Sequence, residues 1–344
     1  MPIATPEQYR EMLETAKEKG YAFPAFNISS SQTLNAVLAG LSDAESDGII
    51  QITTGGAAYL SGQRIKDMPT GALAAVAYIR EVAKKYPIRV ALHTDHCPKQ
   101  HLDDYLLPLI AASEEEVKAG RPAFFNSHMW DGSAIDLDEN LKIAQEIQKR
   151  TKAIHAVLEV EIGAVGGEED GITGKADANL YTTLADGIKT VEALGLGLDS
   201  EQGPYIAALT FGNVHGVYKP GNVKLRPELL GEIQEGLAAK YGTGAKPLGL
   251  VFHGGSGSTP EEIATAVSNG VVKMNIDTDT QYAFTRAIAG HMFSNYDGVL
   301  KIDGEVGNKK VYDPRSWGAK GEESMAARVV EATQELGSVG KSLK

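Results

Sequence analysis

The chain has 344 residues, 42% of them hydrophobic and 23% charged, the balance of a soluble globular protein long enough to bury a large core. Its formal charge of −12 argues against nucleic acid or an anionic membrane as a partner, and no stretch is long and apolar enough to span a bilayer. The single cysteine, Cys97, excludes an internal disulfide and suits a reducing compartment, so the expected location is the cytoplasm.

The N-terminal segment MPIATPEQYREMLETAKEKG carries an amphipathic helical pattern without the apolar centre of a signal peptide. Eight short apolar runs follow in chain order, and each reads as a strand. They are YAFPAFN (21–27), GIIQIT (48–53), IRVALHTDH (88–96), PAFFNSH (122–128), HAVLEVEIG (155–163), YIAALTFG (205–212), LGLVFHGG (248–255) and GVVKMNI (270–276). Helix-period segments separate them, among them SQTLNAVLAGLSDAES, TGALAAVAYIREVAKKY, DENLKIAQEIQKR and RPELLGEIQEGLAAKY. Before the last run, Thr259 is placed as an N-cap, with Pro260 at the first helical position and a carboxylate closing a capping box. This alternation predicts parallel strands with helices outside, and eight units predict a (β/α)8 barrel. An open doubly wound sheet is the alternative. No linker or composition shift divides the chain, so residues 1–344 are expected to form a single barrel domain with a helical extension over about 280–344.

Polar residues gather at the C-terminal ends of the runs: Asn27, Thr53, Asp95, His96, Ser127, His128, Glu161 and Asn275. In barrel enzymes that rim carries the active site. Three histidines follow separate runs: His96 in HTDHCPK, His215 in FGNVHGVYKPGN and His253 in VFHGGSGS. Three imidazoles from three strand ends can hold a zinc ion with one position left open. His93, three residues before His96, is expected on the opposite face, in packing or support. Asp95 can act as an acid or base beside the metal. Glu159 and Glu161 alternate with apolar residues and should both face the barrel interior, where Lys273 or a metal would compensate them. Asp131 in SHMWDGS lies just past the fourth run and can serve the same centre.

The segment VGGEEDGITGKADANLYT is much longer than the usual connection of about 2–6 residues, which suggests a mobile lid bringing Glu168 or Glu169 to the site. HGGSGS and NIDTDT follow the seventh and eighth runs, where barrels commonly bind phosphate through backbone N–H groups and a helix N-terminus. Asp277 and Asp279 suit such a site only if the amides, not the carboxylates, face the ligand.

The series HTDHCPK, SHMWDGS, LEVEIGAVGGEEDG, FGNVHGVYKPGN, FHGGSGS, VVKMNIDTDTQYA and VYDPRSW resembles, in order, the motifs of class II, zinc-dependent fructose-bisphosphate aldolases, and within them the longer class IIA type. The likeness runs from about residue 20 to the C-terminal helix. It implies a (β/α)8 fold and reversible cleavage of fructose 1,6-bisphosphate to dihydroxyacetone phosphate and glyceraldehyde 3-phosphate. By the same resemblance, His96, His215 and His253 are the Zn2+ ligands, and Asp131 and Glu161 lie near a second metal position. Asp95 is then the acid/base at the C4 hydroxyl, and Glu169 moves the proton at the enediolate carbon. Gly216, Gly254, Ser256, Asp277 and Thr278 form the cradle for one phosphate, with Asn275 beside the reacting hydroxyls and Asn27 and Thr53 lining that end. Arg315 reaches the distal phosphate, in the family from a neighbouring subunit, which implies a homodimer or a homotetramer. A monovalent cation near the phosphate also belongs to the family pattern.

Breaking C3–C4 leaves a carbanion next to a carbonyl, and zinc would hold the resulting enediolate oxygens as a Lewis acid. Lys273 is the candidate for the rival Schiff-base mechanism. Competing readings are a tagatose 1,6-bisphosphate aldolase of the same family, a metal-dependent hydrolase on the same barrel, and a surface-binding role.

Overall fold

The structure is a computed structural model that describes residues 2–163, 166–169, 172–174, 181–215, 225–300 and 306–343, with only the backbone described at 166–169, 172–174 and 214–215. Its strands are β1 (Phe23–Asn27), β2 (Gly48–Ile52), β3 (Val90–Thr94), β4 (Ser127–Trp130), β5 (Val157–Ile162), β6 (Gly166–Glu169), β7 (Ile172–Gly174), β8 (Tyr205–Leu209), β9 (Val214–His215), β10 (Leu250–Phe252) and β11 (Val271–Ile276). Eight of them close a barrel in the order β1, β2, β3, β4, β5, β8, β10, β11, and β11 pairs back onto β1. Every barrel pairing is parallel. The fold is therefore the expected (β/α)8 barrel and not the open sheet. Both faces of each barrel strand are covered, which explains why the runs read as nearly continuous apolar stretches.

Two apolar layers hold the barrel. Outside it, strand side chains such as Phe26, Ile50, Leu92 and Leu158 pack against the surrounding helices. Inside and below, the helix Pro6–Lys19 closes the barrel. Its Tyr9, Met12, Leu13 and Ala16 share one helical face and join Ile49, Ala91, Val157 and Val272 in a second cluster. Thr5 and Gln8 start that helix with a reciprocal capping box. The box expected at Thr259 is also formed: Glu262 N donates to Thr259 Oγ1 at 3.2 Å and Thr259 N to Glu262 Oε2 at 2.8 Å.

Helices Thr278–Ser294 and Pro314–Glu335 extend the chain beyond β11. The second of them lies against helix Ser31–Asp43 so closely that a Cβ on Gly40 would come 2.6 Å from both Val329 Cβ and Ala326 O. Only glycine permits that approach. No helix among the described residues is long and apolar enough to cross a membrane.

Two expectations are corrected here. The fourth strand begins at Ser127 and does not end at His128. PAFFN is used otherwise: Asn126 accepts Leu92 N at 2.8 Å and donates to Ala4 O at 2.8 Å, tying the N-terminal segment to the barrel floor. Ser127 and His128 therefore sit at the start of β4, away from the rim. Ser127 Oγ meets His93 Nδ1 at 2.8 Å and donates to Tyr9 OH, while His128 Nδ1 meets Thr94 Oγ1 at 2.8 Å. The long segment after β5 carries β6 and β7, which pair antiparallel, and β6 also pairs parallel with β9, so Glu168, Glu169 and His215 stand on one small sheet.

Candidate active site and metal centre

Asp95 is the hub of the rim. It follows β3 directly, and its N–H still donates to Ile52 O at 2.9 Å, which carries the strand pairing one residue further. Its carboxylate is buried and held on both oxygens. Asn27 Nδ2 and Gln51 Nε2 each donate to Oδ2 at 3.0 Å, and Asn275 Nδ2 donates to Oδ1 at 3.1 Å. Gln51 also donates to Asn27 Oδ1. Three amides from β1, β2 and β11 thus aim one carboxylate. Gln51 went unrecognised in the sequence, although it is polar within the otherwise apolar stretch 48–52 and shares parity with Thr53.

The residue after Asp95 breaks strand geometry. His96 has φ +26°, a left-handed conformation that is uncommon outside glycine and costs on the order of 1–3 kcal/mol. That turn lets consecutive side chains, Asp95 and His96, both serve the rim, which an extended strand forbids. It also corrects the expectation for His93. Alternation stops before His96, so His93 lies inside the barrel with Asp95, its Nε2 3.9 Å from Asp95 Oδ1 and 3.5 Å from Glu159 Oε2.

His96, Glu161 and His253 converge, with one ligand atom from each within 4.8 Å of the others. The two imidazole rings stand 4.7 Å apart. Glu161 Oε1 is 3.5 Å from His253 Nδ1, and Oε2 is 3.7 Å from His96 Nδ1. Both Glu161 oxygens are buried and accept no hydrogen bond among the described residues. Burial and the nearby Asp131 push its carboxyl up from the usual range. A carboxylate so placed is costly unless a cation faces it, and two imidazoles with a carboxylate are a zinc-type donor set. The donors fit a metal. Asp131 stands beside them, 3.3 Å from His96 Nδ1, and against the cost of burial His96 and Ser133 hold its carboxyl low. His215 lies on β9, but its side chain is outside the described residues, as is that of Glu169; Gly216 is outside them altogether.

Below the metal donors sits the interior ion pair. Lys273 Nζ donates to Glu159 Oε2 at 2.8 Å and to Asn275 Oδ1 at 2.7 Å, and His253 Nε2 meets Glu159 Oε1 at 2.8 Å. Although burial opposes it, Lys273 and His93 hold the Glu159 carboxyl well below its ordinary range. His253 moves the other way, up to about 9: burial works against its charge, but Glu159 and Glu161 outweigh it. With Nε2 committed to Glu159, Nδ1 is the nitrogen turned toward Glu161. A carboxylate on the far nitrogen is the usual way to orient a metal-binding imidazole. Asn213 Nδ2 secures the same turn by donating to His253 O at 2.9 Å.

The expected phosphate elements stand next to this centre. Gly254 adopts φ +61°, which a side chain would strain. Thr278 opens the helix Thr278–Ser294 with Asp277 as its N-cap residue. Both carboxylates of NIDTDT are occupied within the protein: Asp277 Oδ2 accepts from Gln281, and Asp279 Oδ1 accepts from Ser256 Oγ at 3.0 Å. The backbone amides of that helix terminus are the donors it can turn to an anion. Thr53 is buried, and its Oγ1 caps helix Thr54–Leu60 by accepting Gly56 N. Arg315 is not brought to the site within its own chain. Its side chain is 88% exposed and pairs with Asp313.

A closed (β/α)8 barrel with a buried cation-ligating set at the C-terminal ends of its strands defines a metal-dependent barrel enzyme. The family described as class-II fructose-bisphosphate aldolase matches residues 7–341. A fructose-bisphosphate aldolase of Streptomyces coelicolor is 64% identical over 346 residues, covering 100% of both chains, and one of Mycobacterium leprae is 61% identical, covering 100% of this chain and 99% of that one. A crystal structure of a fructose-bisphosphate aldolase from Campylobacter jejuni matches with a TM-score of 0.87 at 37% identity, over 99% of this chain and 97% of that one. The chain belongs to the class-II fructose-bisphosphate aldolase family, and it is a lyase.

Proposed function

We infer that the chain catalyses the reversible aldol cleavage of D-fructose 1,6-bisphosphate to dihydroxyacetone phosphate and glyceraldehyde 3-phosphate, a step of glycolysis and gluconeogenesis in the cytoplasm. The observation that carries the reading is the placement of Asp95, held on both oxygens by three amides, beside the buried set His96, Glu161 and His253. Zinc bound there with His215 as the third imidazole would supply Lewis-acid stabilisation of the negative charge that cleavage leaves beside the ketose carbonyl. Asp95 accepts the proton of the C4 hydroxyl on cleavage and returns it on condensation. Asn275, fixed between Lys273 and Asp95, orients the reacting hydroxyls. Glu169, on the small sheet after β5, moves the proton at the carbon that cleavage leaves negative. Asp131 and Glu161 bracket a second metal position, and a monovalent cation belongs beside the phosphate cradle of Gly216, Gly254, Ser256, Asp277 and Thr278.

Turnover of the two epimeric hexose bisphosphates tests the substrate. Fructose 1,6-bisphosphate is expected to be cleaved with the higher kcat/KM in a triose-phosphate-coupled assay. Preference for tagatose 1,6-bisphosphate would move the chain to the other specificity, and release of inorganic phosphate without triose would support a hydrolase.

The distal phosphate is assigned to Arg315 of a neighbouring copy in a homodimer or homotetramer. Its guanidinium is free of the barrel, and the C-terminal helices expose Tyr282, Phe293, Tyr296 and Tyr312, apolar surface that a second copy would cover. Arg315→Ala should weaken fructose 1,6-bisphosphate by at least about tenfold, the scale of one charged hydrogen bond, and leave dihydroxyacetone phosphate almost unchanged. Equal losses for both ligands would assign the effect to general destabilisation.

A further inference from the structure

We propose that Arg328 is a positioning residue for the phosphate end of the substrate, acting through Asp279 and Ser256 without touching the ligand. The proposal rests on the assignment of Ser256 to the phosphate cradle. Arg328 Nη2 donates to Asp279 Oδ2 at 3.0 Å, and Ser256 Oγ donates to Asp279 Oδ1 at 3.0 Å. One carboxylate is therefore held between the glycine-rich turn after β10 and the last helix. Arg328 is largely covered, with a side chain 18% exposed, and its Nη2 also reaches Glu335 Oε2 at 3.1 Å. Ser256, Asp279, Arg328 and Glu335 line one cavity of about 190 Å³ that Asn275 also borders. Ser324 Oγ donates to Ala283 O at 2.8 Å, which ties the last helix to the helix that carries Asp279.

Charge gives this arrangement its purpose. Asp279 lies in the first turn of helix Thr278–Ser294, the helix end assigned to a phosphate dianion. A lone carboxylate there would repel the ligand and offset the attraction of the helix N-terminus. The Arg328 guanidinium compensates that charge from behind and leaves the other oxygen to accept from Ser256 Oγ, which fixes the glycine-rich turn whose backbone faces the phosphate. The last helix, which looks like a simple cover, thereby becomes part of substrate recognition.

The metal-loaded full-length protein decides it, with Arg328→Gln compared with wild type. KM for fructose 1,6-bisphosphate and the inhibition constant of dihydroxyacetone phosphate should rise together by about tenfold, the scale of one charged hydrogen bond, while kcat stays within about threefold. Arg328→Lys should recover most of the affinity, and Arg328→Gln with Asp279→Asn should recover it as well, because the uncompensated charge is gone. A purely structural role predicts a lower Tm and lower kcat with unchanged constants, and no recovery in the double variant; either result overturns the proposal. If Arg328→Gln fails to fold, Asp279→Asn alone decides: it should hold or tighten dihydroxyacetone phosphate, and loosening would sink the charge argument. Ser256→Ala separates the two levels. If that variant binds dihydroxyacetone phosphate unchanged, the phosphate assignment itself is wrong. If it loosens the ligand while Arg328→Gln does not, only the coupling fails.

Discussion

Exhaustive chelation abolishes aldol cleavage, zinc restores it, and borohydride added with substrate traps no covalent adduct: these are the results expected of the purified chain. Glu161 has two buried oxygens that accept no hydrogen bond among the described residues, and two imidazole nitrogens stand 3.5 and 3.7 Å from them. Such a set is expensive without a cation. The rival nucleophile is Lys273, which lies wholly inside the barrel and donates to both Glu159 and Asn275. A lysine spent on a buried carboxylate is poorly placed to attack a ketone. The losses on chelation should exceed any from a single side chain, because the group that takes up the carbanion's charge is removed. Activity that survives chelation while borohydride labels Lys273 would replace this mechanism with the Schiff-base one.

Asp95→Ala should lower kcat for cleavage by at least about 10²–10⁴, the usual contribution of a general acid–base group, with zinc content unchanged. Three amides from separate strands are spent on orienting this carboxylate. The variant therefore separates proton transfer from metal binding. Zinc stoichiometry measured beside kcat checks it. A loss of zinc in proportion to activity would make Asp95 a support of the metal site, and a loss below about tenfold would remove it from proton transfer. Asn275→Ala and Gln51→Ala should each reproduce part of the kcat loss if orientation is what the amides supply.

Much of this was legible in the chain itself. Alternation of apolar runs with helical periods is local, so it marked eight strands and predicted a closed barrel. The capping residues at Thr259 and Glu262 are local too, and formed as read. Two-residue periodicity placed both Glu159 and Glu161 in the interior, because strand parity needs no knowledge of neighbours. The likeness of the motif series to class II aldolases agreed with the family to which the chain belongs.

What depended on pairing between distant segments was decided only by the tertiary structure. The shift of β4 to Ser127–Trp130 follows from Asn126 being used to tie down the N-terminal segment, a partner 122 positions away. The presence of His96 at the rim beside Asp95 depends on the left-handed turn at His96, which strand alternation does not foresee. Gln51 reads as an isolated polar residue until the register of β1 on β2 sets it opposite Asn27. Arg328 looks like any surface arginine of an amphipathic helix until that helix closes over Asp279. Periodicity and capping are encoded within a few residues and survive reading one segment at a time. Convergence is encoded in strand register and helix packing, where each side chain's role is set by atoms far along the chain.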